Sequence, residues 1–277
     1  MFNASRKAKH METPIYTQIE NLKVTVFQAY LFWENIQKNL QNLTLRLSMG
    51  VREKTDLIVL PEMFNSGFSM HAEALAEEMG GFTMQWMQKT AYQYNCVVTG
   101  SLIVKEDGKF YNRMIWMEPD GEFKKYDKHH LFGMGEEDQN FTAGNEKLIV
   151  TLKGWKIRLA VCYDLRFPVW LRNKNEEYDV LLLIASWPDK RSSHWKALIP
   201  ARAIENQSYV IGVNRVGHDG DQIYHSGHSM CIDPYGSTVY YKPEDEDLYT
   251  FSINYEELVK IRRQFPFLKD ADKFEID

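Results

Sequence analysis

Short apolar runs with no polar alternation constrain this chain more than any other feature. DLIVLPE (56–62) and DVLLLIA (179–185) are strand-length segments apolar at consecutive positions, so both faces of each strand must be covered. LKVTVFQAY (22–30), CVVTGSLIV (96–104), IRLAVCYD (157–164) and SYVIGVN (208–214) read as further strands, the third ending at Asp164. Amphipathic segments alternate with them. Ile36, Leu40, Leu43 and Leu47 recur at helical spacing, and a second helix is expected over Phe82 to Tyr94. RFPVWLRNKN (166–175) predicts a helix with Pro168 in its first turn, where a missing N–H costs nothing. HWKALIPARAIENQ (194–207) is expected to be helical despite Pro200, and NYEELVKIRRQF (254–265) is the last helix. YNRMIWMEPDGEFKKYDK (111–128) and HSMCIDPYGSTVYYK (228–242) read as antiparallel hairpins, and PEDED (243–247) as a solvated turn. Helices alternating with both hairpins and buried runs give an α/β fold with mixed sheets, in one domain over 19–277.

Composition narrows the class. The 277 residues are 44% hydrophobic, enough for a substantial core, and the formal net charge of −5 provides no basic footprint for nucleic acid. No apolar run approaches the roughly 20 residues that span a bilayer. Residues 1–18 have no signal-peptide core and are expected to be a disordered N-terminal extension or vector remnant. Three cysteines, Cys96, Cys162 and Cys231, are too few and too odd for a disulfide framework, which points to a reducing, cytoplasmic setting.

Chemistry concentrates at three places. Cys162 is expected where an apolar strand meets the next helix, so backbone N–H groups of that turn can face a developing oxyanion. The competing explanation is a small buried hydrophobe, which fits Cys96 and Cys231 better. Glu62 closes the 56–62 run, where a carboxylate is poorly solvated and suited to take a thiol proton; it would equally cap a turn or pair with an arginine. Lys128 in KKYDKHHLF is either part of a solvated basic cluster or a fixed cation for developing negative charge. His225 and His228 are spaced as a ligand pair but have no third and fourth partner, so no metal is expected. No Gly-rich phosphate loop is present, and no cofactor is expected.

LPEMF around Glu62, YDKHHLF around Lys128 and VCYDLRFP around Cys162 resemble, in order, the three catalytic segments of the nitrilase (carbon–nitrogen hydrolase) superfamily. The likeness runs from about Leu22 to Ile253 and includes ARAIENQSYVIGVNRVG and HSGHSMCIDPYG. CYDLRFP followed by ASWPDKRSSHW, together with FGMGEEDQNFTAGNE, is most similar to the omega-amidase branch, which hydrolyses the terminal amide of 2-oxoglutaramate and 2-oxosuccinamate. The resemblance implies a four-layer α-β-β-α sandwich of two mixed sheets flanked by helices, a homodimer, and a small-molecule amide as substrate. It also implies a second active-site glutamate: Glu137, seven residues before Gly144, is the best match, with Glu136 beside it leaving the alignment open by one.

The expected reaction is acyl transfer. Cys162 attacks the amide carbonyl, Glu62 handles the proton, and Lys128 with the Tyr163 N–H holds the oxyanion. Arg166 is a candidate for a substrate carboxylate and Trp187 for a pocket wall, although an ion pair and core packing would explain them as well. The alternatives are an N-carbamoyl amino-acid amidohydrolase or another aliphatic amidase, and a catalytically silent interaction subunit.

Overall fold

Parallel strands need crossovers and antiparallel ones need only turns, and this chain uses both to build two sheets of the same design. A computed structural model describes residues 19–275. The expected extension over 1–18 lies outside the described residues.

The first sheet takes β1 (Leu22–Gln28), β2 (Leu57–Val59), β3 (Glu77–Glu78), β4 (Val97–Glu106), β5 (Lys109–Met117) and β6 (Phe123–Asp127) from the first half of the chain. The second contains β7 (Ile149–Leu152), β8 (Trp155–Val161), β9 (Val180–Ala185), β10 (Tyr209–Asn214), β11 (Val216–His218), β12 (Tyr224–Ile232) and β13 (Thr238–Pro243). The last strand, β14 (Asp247–Ile253), returns to the first sheet. Strand order is β14-β1-β2-β4-β5-β6 in one, with β3 beside β4, and β11-β12-β10-β9-β8-β7 in the other, with β13 beside β12. In both, three central strands run parallel (β1, β2, β4 and β8, β9, β10) and antiparallel neighbours flank them.

Period-two alternation decides which face each side chain takes. Val24, Val26, Leu57, Val59, Met114 and Trp116 face the second sheet, where they join Ile157, Leu159, Val180 and Leu182 in one buried core. Their sequence neighbours Phe27, Ile58, Leu60, Ile115 and Met117 face the other way, onto helices α1 (Ile36–Gly50) and α3 (Phe82–Tyr94). Leu40, Leu43 and Leu47 are the buried stripe of α1, as their spacing predicts, and α2 (Ala72–Leu75) is a single turn between them and α3. On the outer face of the second sheet, Trp195, Ile199 and Ala203 of α6 (Ser192–Asn206) close the core, which also takes in Leu258 of α7 (Tyr255–Gln264) and Trp170 and Leu171 of the short α5 (Pro168–Leu171). The single turn α4 (Glu137–Asn140) leads into Phe141, which packs with Met63 and Ile103. The result is the expected four-layer α-β-β-α arrangement. Among the described residues no helix is long and apolar enough to cross a membrane.

Two local expectations need correction around the key cysteine. The strand expected to run to Asp164 stops at Val161, and residues Cys162–Arg166 form a 3₁₀ turn. The helix expected over 166–175 is only Pro168–Leu171, with Pro168 at its first position. The physical reason is Asp164. Its buried carboxylate accepts from the Val161 N–H (3.0 Å), the His130 N–H (2.9 Å) and the Tyr126 hydroxyl (2.7 Å), and this bends the chain back before a regular helix can start. The last strand, β14, was not expected from the 247–253 sequence; it pairs along all of β1, far away in the chain.

Candidate active site

Three strand ends converge at one point between the sheets. Glu62 follows β2, Cys162 follows β8 and Ser186 follows β9, so the C-terminal ends of parallel strands from both sheets meet there. Lys128 arrives from β6 and Glu137 from the first turn of α4. Ligand sites in α/β folds favour the carboxyl ends of parallel strands.

Glu62, Lys128 and Glu137 form one buried ionic cluster. The Lys128 ammonium donates to Glu62 Oε1 at 2.9 Å and to Glu137 Oε1 and Oε2 at 3.0 and 2.8 Å, and all three side chains are fully buried. Asn112 Nδ2 bridges the carboxylates, donating to Glu62 Oε1 (2.8 Å) and Glu137 Oε1 (3.0 Å). The Ser186 N–H donates to Glu62 Oε2 (2.8 Å), and the Phe132 N–H to Glu137 Oε2 (2.7 Å). Every carboxylate oxygen is therefore engaged, which is the condition for holding charge out of water. Of the two adjacent glutamates left open by sequence, Glu137 is the one against Lys128; Glu136 is exposed and takes left-handed backbone at φ +58°.

The charges set the proton positions. Burial disfavours the Lys128 ammonium, but Glu137 and Glu62 outweigh it and hold Lys128 well above the usual lysine range. Burial pushes the Glu137 carboxyl up, helped by the charge of Glu62 and opposed by Lys128. Burial also pushes the Cys162 thiol well above its usual range, and the Glu62 charge adds to this against Lys128. Burial, reinforced by Glu62, therefore favours the thiol form of Cys162. This differs from a thiolate preformed at a helix N-terminus, for which the short 3₁₀ turn offers little dipole.

Cys162 is half-buried, open to the cavity on one side, and sits at φ +45°, a left-handed conformation that costs a non-glycine residue about 1–3 kcal/mol. The Asp164 bonds described above hold this turn. They also keep the Asp164 carboxyl below its usual range despite its complete burial. His130 completes the clasp through Nδ1 (2.8 Å) and stacks on Phe167, with ring centres 3.6 Å apart, so the loop carrying Lys128 is tied to the turn carrying Cys162.

A cavity of about 720 Å³ opens over Cys162, lined by Phe68, Phe132, Tyr163, Arg166, Trp187 and Arg191, with Trp33 and residues 219–225 further along its wall. Tyr163, Arg166 and Trp187 thus line the same space as the cysteine. Arg166 has no carboxylate partner among the described residues; its guanidinium lies over Trp187 at 4.8 Å and meets His194 Nδ1 at 3.1 Å. His225 and His228 are not brought together as a ligand pair: His225 Nδ1 meets the carbonyls of Gly217 and Ile223, and His228 Nδ1 meets the Tyr241 hydroxyl. Cys96 and Cys231 are buried away from the site. Sequence reading did not single out Asn112, Ser186, Asp164 or Arg191. Asn112 carried a usable signal, a polar residue within an apolar strand; Ser186 acts through its backbone and carried none.

The carbon–nitrogen hydrolase family model matches residues 23–263. Omega-amidase YafV of Escherichia coli is 42% identical over 260 residues, 92% of this chain and 98% of that relative. A 2-oxoglutaramate amidase of Bacillus subtilis is 35% identical over 222 residues, covering 79% of this chain and 85% of that relative. Among solved structures, a CN-hydrolase superfamily protein from Xanthomonas campestris with an arsenic adduct in its active site matches at TM-score 0.90 and 38% identity, over 93% of this chain and 100% of that one. Nit3 of Saccharomyces cerevisiae, a member of branch 10 of the nitrilase superfamily, shares the fold at TM-score 0.80 and 24% identity, over 92% and 97% of the two chains.

Proposed function

The chain belongs to the carbon–nitrogen hydrolase family, and from that premise we propose that it hydrolyses the terminal amide of a small oxo-acid amide such as 2-oxoglutaramate or 2-oxosuccinamate. The observation that carries the reading is the fully buried Glu62–Lys128–Glu137 cluster at the strand ends where Cys162 opens to the cavity. As Cys162 Sγ bonds to the amide carbon, its proton passes to Glu62 and the carbonyl electrons move onto oxygen. Lys128 and the Tyr163 N–H stabilise that oxyanion. When the carbonyl re-forms, the C–N bond breaks, Glu62 returns the proton to nitrogen, and ammonia leaves a thioester on Cys162. Water, deprotonated by Glu62, then cleaves the thioester to give the dicarboxylate and free thiol.

Glu137 keeps Lys128 charged and fixed, so that Glu62 is free to cycle its proton. Tyr163, Arg166 and Trp187 form the substrate wall, with Arg166 offering a cation to a carboxylate. We read residues 19–277 as one domain, working as a homodimer in the cytoplasm; the unpaired state of Cys96, Cys162 and Cys231 supports a reducing compartment.

Ammonia release from 2-oxosuccinamate, measured for the wild type and Cys162→Ala, tests the reading. Turnover lost in a variant that keeps its circular dichroism is the expected result. Equal activity in both removes Cys162 as nucleophile. Turnover of carbamoyl-β-alanine but not of 2-oxosuccinamate replaces the substrate with a carbamoyl amino acid, and loss of every amide activity points to a silent subunit.

A further inference from the structure

The cavity wall carries a second arginine that the proposed chemistry does not use. Arg191 ends the 3₁₀ turn Asp189–Arg191 ahead of α6 and lines the cavity with Cys162 and Arg166. Elsewhere in the described residues, each buried arginine makes at least one polar contact. Arg113, Arg202 and Arg262 pair with carboxylates, Arg158 donates to the Trp170 carbonyl with Glu177 at 3.8 Å, and Arg215 donates to the carbonyls of Leu31, Val216 and His218. Arg191 is half-buried, yet among the described residues its guanidinium makes neither an ion pair nor a hydrogen bond, and its contact is the Phe132 ring at 5.0 Å.

Three acids, Asp189, Asp219 and Asp221, share the cavity lining, and none of them forms an ion pair with Arg191 among the described residues. Asp189 Oδ1 accepts from the Ser226 hydroxyl at 2.6 Å, and Asp219 Oδ1 accepts from the N–H groups of Asp221 (3.0 Å) and Ile223 (2.9 Å). Burial pushes the Arg191 guanidinium below its usual range; the charge of Arg166 pushes the same way and that of Cys162 opposes it, so the three groups lie within electrostatic reach of one another. An arginine fork with idle donors, placed over an aromatic ring in a cavity that a second arginine also lines, matches the two oxygens of a carboxylate.

We propose that Arg191, together with Arg166, is the specificity-determining wall of this site: it binds the carboxylate at the far end of a small amide whose near end lies at Cys162. The inference rests on the amidase reading and adds the residue that selects the anionic class. Neutral amides of equal length gain nothing from this wall.

The test uses the full chain as wild type, R191K and R191Q. kcat/KM is measured on 2-oxosuccinamate and on butyramide, a neutral amide of the same chain length, and succinate binding is followed by calorimetry. For R191Q the expected loss on 2-oxosuccinamate is about 10- to 100-fold, carried mainly by KM, as for a lost charge-assisted hydrogen bond. The loss on butyramide should be at least tenfold smaller, succinate affinity should fall in step, and R191K should recover part of both. Equal losses on the two amides, or unchanged succinate affinity, overturn the proposal and leave Arg191 as a prop for Phe132. A wild type that binds no succinate overturns it too. If the wild type turns over butyramide but not 2-oxosuccinamate, the oxo-acid reading falls, while the ratio of succinate affinities still decides the arginine.

Discussion

The floor and the wall of the cavity are built on opposite principles. At the floor, Lys128 and two glutamates are wholly buried, and every carboxylate oxygen meets a donor, from β5 (Asn112) or from the segments that follow β6 (Lys128, Phe132) and β9 (Ser186). At the wall, Tyr163, Phe132, Arg166 and Arg191 are half-buried, and aromatic faces and idle guanidinium donors replace saturated networks. The floor is over-determined, as a group that must present charge at one place has to be. The wall leaves donors for a molecule that comes and goes. Changes at the floor should therefore damage fold and chemistry together, whereas changes at the wall should alter selectivity and leave stability nearly intact.

Lys128→Met should break this comparison most severely. It strands two buried carboxylates, and breaking a buried pair costs about 3–5 kcal/mol. A urea midpoint lowered accordingly, with ammonia release reduced by at least about a thousandfold, is the expected result; a variant of wild-type stability would show that the glutamates do not need the cation. Asn112→Ala comes next. It removes one neutral donor shared by Glu62 and Glu137, with an expected loss of about 1–3 kcal/mol in stability and a fall in kcat that exceeds any change in KM.

At the wall, Trp187→Phe keeps an aromatic face beneath Arg166 but removes the indole N–H that donates to the Arg191 carbonyl at 2.8 Å. KM for an anionic amide should rise several-fold with stability lowered by about 1 kcal/mol; a collapse of kcat instead would place Trp187 with the floor.

The partly exposed Glu106, paired with Arg113 and Lys125, supplies the smallest effect. Hydrogen bonds from Arg113 and Lys125 lower the Glu106 carboxyl to about 2. A depressed carboxylate contributes stability that is present above its unfolded value near 4.3 and is lost as pH falls through about 2. Glu106 is about one-third exposed, so solvent screening keeps the contribution small. Urea midpoints of the wild type and Glu106→Gln, followed from pH 6 to pH 2, should converge toward the acid end; parallel curves would mean that the pair contributes nothing.

How much of this was legible differs between segments for physical reasons. Helix α3 spans the expected Phe82–Tyr94, and α6 runs through Pro200 as expected, because helical preference is largely a local property. The runs DLIVLPE and DVLLLIA became β2 and β9 at the centres of the two sheets, because nothing but burial on both faces suits them. The edge strand β14 was missed, since its pairing with β1 is written in neither segment alone.

The candidate site divides the same way. Sequence alone determined the residue types and the order of the segments holding Glu62, Lys128 and Cys162, together with an α/β chain of alternating buried runs and helices. Tertiary structure alone decided that Glu137, not Glu136, meets Lys128, that Cys162 turns at positive φ, and that Ser186, 124 residues from Glu62, holds its carboxylate through a backbone N–H. It also decided that Arg191 lines the cavity with no ion pair among the described residues. Periodicity is short-ranged and survives in the linear chain, but burial, charge balance and backbone strain arise only when distant strand ends are brought together.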